Sequence, residues 1–164
     1  MSNAILEKAL RGKKCNRDDD FFVGQRLDHH WGRTISESDN ALFSTITLCF
    51  VPLYFNRAYA RQQGHPDIVL NPQLIFNVAL GLSVEDCSEA GGPFLGVYDL
   101  RYHRPAYPGV TLTASSSTVE ARISGSNPSV GIVTWETEGR DEDGNLLVSF
   151  RRSNQVRRRE GTDQ

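Results

Sequence analysis

The amino-acid sequence predicts an α+β domain in which a curved antiparallel sheet wraps around one long helix. Three observations predict it. An apolar stripe of Leu74, Ile75, Val78, Ala79 and Leu82 follows a clear helix start at Asn71-Pro72, an N-cap residue with proline at the first helical position. Four runs rich in β-branched and aromatic residues come after Pro93. A single strand and short helices precede the stripe, so helices and strands are segregated rather than alternating.

The elements follow in order. Residues 1–20 read as a polar lead-in with a short helix over 4–10 that ends near Gly12, residues 21–159 as one packed domain, and residues 160–164 as a tail. The first strand covers 25–35, with Leu27, Trp31 and Ile35 as anchors. Ser36 or Ser38 can cap the next helix, because a short side-chain oxygen accepts an otherwise unpaired backbone N–H. Ala41, Leu42, Thr45, Ile46 and Cys49 then recur at helical spacing. Pro52 ends that helix, since it has no N–H and turns Val51 away from helical angles. Asn56 caps a short helix over 57–63, Gly64-His65-Pro66 breaks it, and 67–70 is extended. The long helix from Asn71-Pro72 runs to about Asp86. Strands are expected over 94–103, 109–123, 130–139 and 146–157. Their turns are Tyr107-Pro108-Gly109, the segment 124–128, and 140–145 with Gly144 free to adopt positive φ.

Composition narrows the function. A chain of 164 residues with 38% hydrophobic and 23% charged residues can bury a core without metals or disulfides. A net charge of −2 gives no general attraction for nucleic acid. The basic cluster Arg151, Arg152, Arg157, Arg158 and Arg159 is local. No apolar run approaches the ~20 residues that span a bilayer, and the first residues lack the apolar middle of a secretory signal. Cys15, Cys49 and Cys87 cannot all pair and show no metal-ligand spacing, which points to free thiols in a reducing cytoplasm.

Gly32 to Asp39, Pro52 with Ala58-Tyr59-Ala60, Asn71, Gly81-Leu82-Ser83-Val84, and the closing stretch from Thr134 to Arg159 carry a resemblance. Their order and spacing resemble MaoC-like hydratases and dehydratases, and the closing stretch is similar to the mesaconyl-CoA-hydratase-like branch. The resemblance implies a hotdog fold, a homodimer, and an acyl-thioester bound in a tunnel between subunits. It implies no cofactor beyond the coenzyme A or phosphopantetheine arm of the substrate, with an acyl carrier protein as a further partner.

Hydration of an α,β-double bond needs a group to activate water, a group to manage the α-proton, and donors for the enolate oxygen. In the family an acidic or amide residue and, five positions later, a histidine do the proton chemistry. Here those positions hold Cys49 and Tyr54. Their unperturbed pKa values, about 8.5 and about 10, suit neither to act as a base at neutral pH. Tyr54 can still donate a hydrogen bond or a proton, whereas Cys49 reads as an apolar filler. The enolate donors would come from the start of the long helix, where Pro72 has no N–H, leaving the Asn71 side chain and later amides such as that of Gln73.

His29, His30, His65 and His103 fall at no matching position and read as surface or edge residues. Asp99 reads as paired with Arg101 or Arg104. Arg151, Arg152 and Arg157 are the candidates for binding the phosphates of the thioester carrier, for which guanidinium geometry is suited. The resemblance and these residues leave three readings: a divergent hydratase or related lyase with Tyr54, Cys49 and Asn71 at its site, a silent hotdog domain that binds a hydrophobic molecule or partners an active subunit, or an enzyme whose dry pocket shapes a reactive substrate without acid–base hydration.

Overall fold

A computed structural model describes residues 15–89 and 91–159 of the chain. The helix expected over 4–10 and the tail over 160–164 lie outside the described residues. Five strands form one antiparallel sheet: β1 (Arg26–Thr34), β2 (Phe94–Tyr102), β3 (Thr111–Ile123), β4 (Val130–Arg140) and β5 (Leu146–Arg157). Their spatial order is β1-β3-β4-β5-β2, so the meander β3-β4-β5 is central and the two earlier strands close its edges. Four helices precede or separate the strands: α1 (Glu37–Ile46), α2 (Arg57–Gln62), α3 (Pro72–Leu82) and α4 (Val84–Cys87).

Helix α3 lies against the inner face of the sheet as its apolar stripe requires. Leu74, Ile75 and Ala79 join Ile35, Leu112, Val148 and Phe150 in the main core. A second cluster holds Phe21, Cys87, Val133, Trp135 and Val156 beyond the end of α3. The helix is shorter than expected: it stops at Leu82, and Ser83 separates it from α4. Close approach of α3 to the sheet depends on Gly139, where an added Cβ would stand 2.8 Å from Val148 Cγ1 and 3.1 Å from the Ala79 Cβ.

The segment between α1 and α3 is shaped by capping rather than by strands. Ser36 accepts the Asp39 N–H while Asp39 accepts the Ser36 N–H, a reciprocal cap for α1. Helix α1 ends at Ile46, before Pro52 can act. Leu48 takes φ 54°, its N–H reaching Thr45 O while Cys49 N–H reaches Ser44 O. That is a Schellman ending with leucine where glycine is usual. Cys49 therefore lies past the helix, and Pro52 instead begins a 3-10 turn, Pro52–Tyr54. Trp31 is not a core anchor: it is 60% exposed and donates its indole N–H to Glu85. Leu42 and Ile46 are exposed too, so the apolar face of α1 has no cover among the described residues.

One buried pair ties these pieces together. Asn40 on α1 donates from Nδ2 to the carbonyls of Tyr54 (3.0 Å) and Val69 (3.1 Å), and its Oδ1 accepts the Asn71 N–H (2.7 Å). Asn71 accepts the Gln73 N–H at Oδ1 and donates from Nδ2 to Ser44. Replacing Asn40 with alanine leaves two carbonyls and one N–H without partners, at about 1–3 kcal/mol for each fully buried group. We expect Asn40→Ala to lower the unfolding free energy in urea by about 3 kcal/mol or more, whereas a loss under about 1 kcal/mol would contradict this role. Gly139→Ala should cost about 1–3 kcal/mol through overpacking, also read by urea unfolding.

Candidate active site

A cavity of about 380 Å³ opens where the first turn of α3 meets the 3-10 turn and the β2–β3 connection. Leu53, Val69, Leu70, Pro72, Ile75 and Leu147 make its walls largely apolar. Its polar side chains are Tyr54, His65, Tyr102, His103 and Arg104. They come from three separate parts of the chain, and only the fold brings them together.

Tyr54 is placed by its turn, with its N–H bonded to Val51 O and its carbonyl held by Asn40. Burial pushes the Tyr54 phenol above the ordinary tyrosine value, and the nearby Cys49 and Tyr102 push it the same way. Burial also raises Tyr102. Both phenols therefore stay neutral at physiological pH and keep a proton to donate. Cys49 is half-buried and close enough to influence Tyr54, but it does not line the cavity.

The start of α3 does not offer the donors expected of it. Pro72 has no N–H, the Gln73 N–H is taken by the Asn71 side chain, and the Leu74 N–H by the Asn71 carbonyl. Asn71 is 1% exposed with both ends of its amide engaged. The geometry gives Asn71 the task of fixing the helix beside the cavity. The polar donors that line this cavity are the phenols and the basic side chains.

The three arginines singled out by charge do not converge. Arg151 points outward near Glu136 (3.5 Å) and Asp99 (3.6 Å), so Asp99 pairs with this residue rather than with Arg101 or Arg104. Arg152, its neighbour, points inward and is 1% exposed. Its guanidinium lies 5.2 Å over the Trp135 ring and donates to Ser83 O and Ser88 Oγ, positions that no phosphate can reach. Arg157 lines a separate basic cleft with Arg17, Arg158 and Arg159. On β5 it stands about ten residues from Leu147 of the cavity, roughly 33 Å at the usual strand rise.

His30 and His103 are exposed, as the surface reading expects, whereas His29 and His65 depart from it. His29 is buried, with Nδ1 2.7 Å from Asp86 Oδ2 and Nε2 2.8 Å from Ser116 Oγ, which in turn meets Thr137 Oγ1 at 2.8 Å. The order of groups is that of a hydrolytic triad. Ser116 is 1% exposed, however, so no substrate reaches it, and the chain of bonds serves to clamp α4 to β1 and the sheet. His65 and His103 line the cavity beside Tyr54. No local motif marks them or Tyr102. The available signal is position in the fold: His65 lies in the connection that leads into α3, and β2 carries Tyr102 and His103 to the same end.

Comparison with known proteins fits this architecture. A family model described as mesaconyl-CoA hydratase matches residues 1–164. The mesaconyl-CoA hydratase of Haloarcula hispanica is 38% identical over 159 residues, covering 96% of this chain and 44% of the relative. The chain thus spans less than half the length of that curated relative. Among solved structures, a putative MaoC domain protein dehydratase from Chloroflexus aurantiacus superposes with TM-score 0.87 at 24% identity, over 95% of this chain and 44% of the other. A conserved hypothetical protein from Mycobacterium tuberculosis with a double hotdog fold gives 0.80 at 24% identity, over 91% and 46%. The architecture is a hotdog fold.

The raised phenols can be tested directly. In a spectrophotometric titration, Tyr54 and Tyr102 should ionise above the ordinary range near ~10. Tyr54→Phe should remove one of the late steps and spare the ordinary ones. Because the unfolded chain ionises these phenols first, their contribution to stability is present below about pH 10 and is lost as pH rises beyond it. Loss of an ordinary step in Tyr54→Phe would contradict the assignment.

Proposed function

The chain belongs to the mesaconyl-CoA hydratase family, and from that membership we propose that it is one hotdog unit binding an acyl-thioester in the cavity beside α3 and adding or removing water across the acyl double bond. The observation that carries this reading is the cavity itself: largely apolar walls that suit an acyl chain, with a few polar side chains among them. Tyr54, a neutral phenol, donates to the thioester oxygen as charge develops there, and Tyr102, on the same cavity, supports it. Asn71 acts indirectly by holding the wall formed by Pro72, and Cys49 by keeping the surroundings of Tyr54 water-poor.

Coenzyme A is the carrier we favour, with no further cofactor, and Arg104 at the cavity is the cation placed to meet its phosphates. Arg151 and Arg157 could meet them only through a neighbouring unit. Pairing of two hotdog units is supported by the uncovered Leu42, Ile46, Leu48 and Phe50, and by β2, an edge strand that exposes Leu95 and Tyr98. Among the described residues no helix is long and apolar enough to cross a membrane, and the three cysteines are free. A reducing cytoplasm is consistent with both.

A second reading keeps the fold and the ligand but not the chemistry. It rests on Cys49 and Tyr54 at the positions of the family's acid–base pair. In it, the chain is a silent unit that shapes the cavity for an active hotdog partner.

The readings separate in one assay. Purified protein is incubated with crotonyl-CoA and mesaconyl-CoA and followed at the enoyl-thioester absorbance, with acyl-carrier-protein thioesters as a second arm. Hydration is expected, with Tyr54→Phe lowering kcat about 10²-fold while KM changes little. Saturable binding without turnover on every substrate would favour the silent unit.

A further inference from the structure

We propose that His65 is the proton-transfer residue of this cavity, taking over from another part of the chain the task that the position of Tyr54 no longer performs. The inference rests on the hydration reading above and names the residue that reading lacks. A phenol held neutral can donate a proton but cannot draw one from water at neutral pH, so another group lining the cavity must act as base.

The fold places His65 for that task. Helix α2 ends in a Schellman motif, with Gly64 at φ 86°, Gly64 N–H bonded to Arg61 O and His65 N–H to Ala60 O at 3.0 Å. The backbone of His65 is thus pinned although it lies in a connection. Its Nδ1 is 3.1 Å from the Tyr107 hydroxyl, and the two rings lie 6.1 Å apart. Tyr107 does not line the cavity whereas His65 does, so Nδ1 faces away from the cavity and Nε2 is the ring nitrogen left for a ligand. Among the described residues Nε2 has no hydrogen-bond partner. A half-buried imidazole with one nitrogen held and the other free matches what a general base needs. His103 also lines the cavity, but it is exposed and its Nε2 bonds Ser149 Oγ at 2.8 Å.

The step balances with these groups alone. Nε2 takes a proton from water as the hydroxyl oxygen bonds to the β-carbon. The π electrons of the double bond move to the α-carbon and the thioester oxygen, where the phenol of Tyr54 donates a hydrogen bond. The imidazolium then returns its proton to the α-carbon, so one water has been added and His65 is neutral again. For Nε2 to act as base, Nδ1 carries the proton and donates it to the Tyr107 oxygen. Tyr107 is therefore a positioning residue.

The test is turnover of crotonyl-CoA and mesaconyl-CoA by the full chain and its variants. His65→Ala should lose about 10²-fold or more in kcat with KM little changed, and added imidazole should restore part of the loss. Tyr107→Phe should lower kcat without raising KM, and His30→Gln, on β1 away from the cavity, should match wild type. Retained turnover in His65→Ala, within about threefold of an active wild type, would overturn the assignment and leave the hydration reading intact. An imidazole-rescued loss in His103→Ala in place of His65→Ala would overturn it as well. A wild type that turns over no enoyl-thioester ends the hydration reading and the assignment together. Circular dichroism of each variant separates lost chemistry from lost fold.

Discussion

The cavity exists because two buried asparagines hold three irregular segments in register. Between α1 and α3 the chain forms no strand, so its backbone groups must find partners elsewhere or face a penalty of about 1–3 kcal/mol each. Asn40 supplies partners to the Tyr54 and Val69 carbonyls and to the Asn71 N–H, and Asn71 passes the constraint to Gln73 and Ser44. The turn that carries Tyr54, the extended piece that carries Val69 and the helix start that carries Pro72 are all walls of the cavity. One pair of side chains therefore sets their relative positions. The same pair explains why the helix start has no donors to spare, since the amides that could have met a substrate oxygen are spent on the protein's own polar groups.

Much of the fold was legible locally. Asn71-Pro72, Asn56 and Ser36 announce helix starts through chemistry that acts within a few residues, and the strand runs announce themselves by composition. Errors arose where a local cue met a non-local partner. Leu42 and Ile46 have helical spacing, yet none of the described residues covers them. Pro52 predicts the end of α1, whereas a left-handed leucine at position 48 completes it earlier, and nothing in the residue type signals that conformation.

The site was less legible than the fold, for the same physical reason. Cys49 and Tyr54 could be placed by order along the chain, and the apolar character around them was visible. His103 is brought to Tyr54 by the strand β2 that it follows, and His65 by the turn that ends α2, and neither placement obeys a spacing rule. His29 looked like a surface residue because its partners, Asp86 and Ser116, are 57 and 87 residues away. Arg151 and Arg152 show the opposite lesson: adjacent strand residues face opposite sides, so alternation alone separates the outward guanidinium from the buried one.

Gly139 gives the architecture an unexpected lever. The helix that walls the cavity with Pro72 and Ile75 rests on the sheet one turn further along, where Ala79 meets a glycine. Packed interiors transmit displacement because they lack slack. The width of the cavity is therefore partly a matter of how thick the layer is beneath Ala79, at residues that do not line it. A bulkier side chain at position 79, 139 or 148 lifts the helix and reshapes the cavity while every residue lining it stays the same.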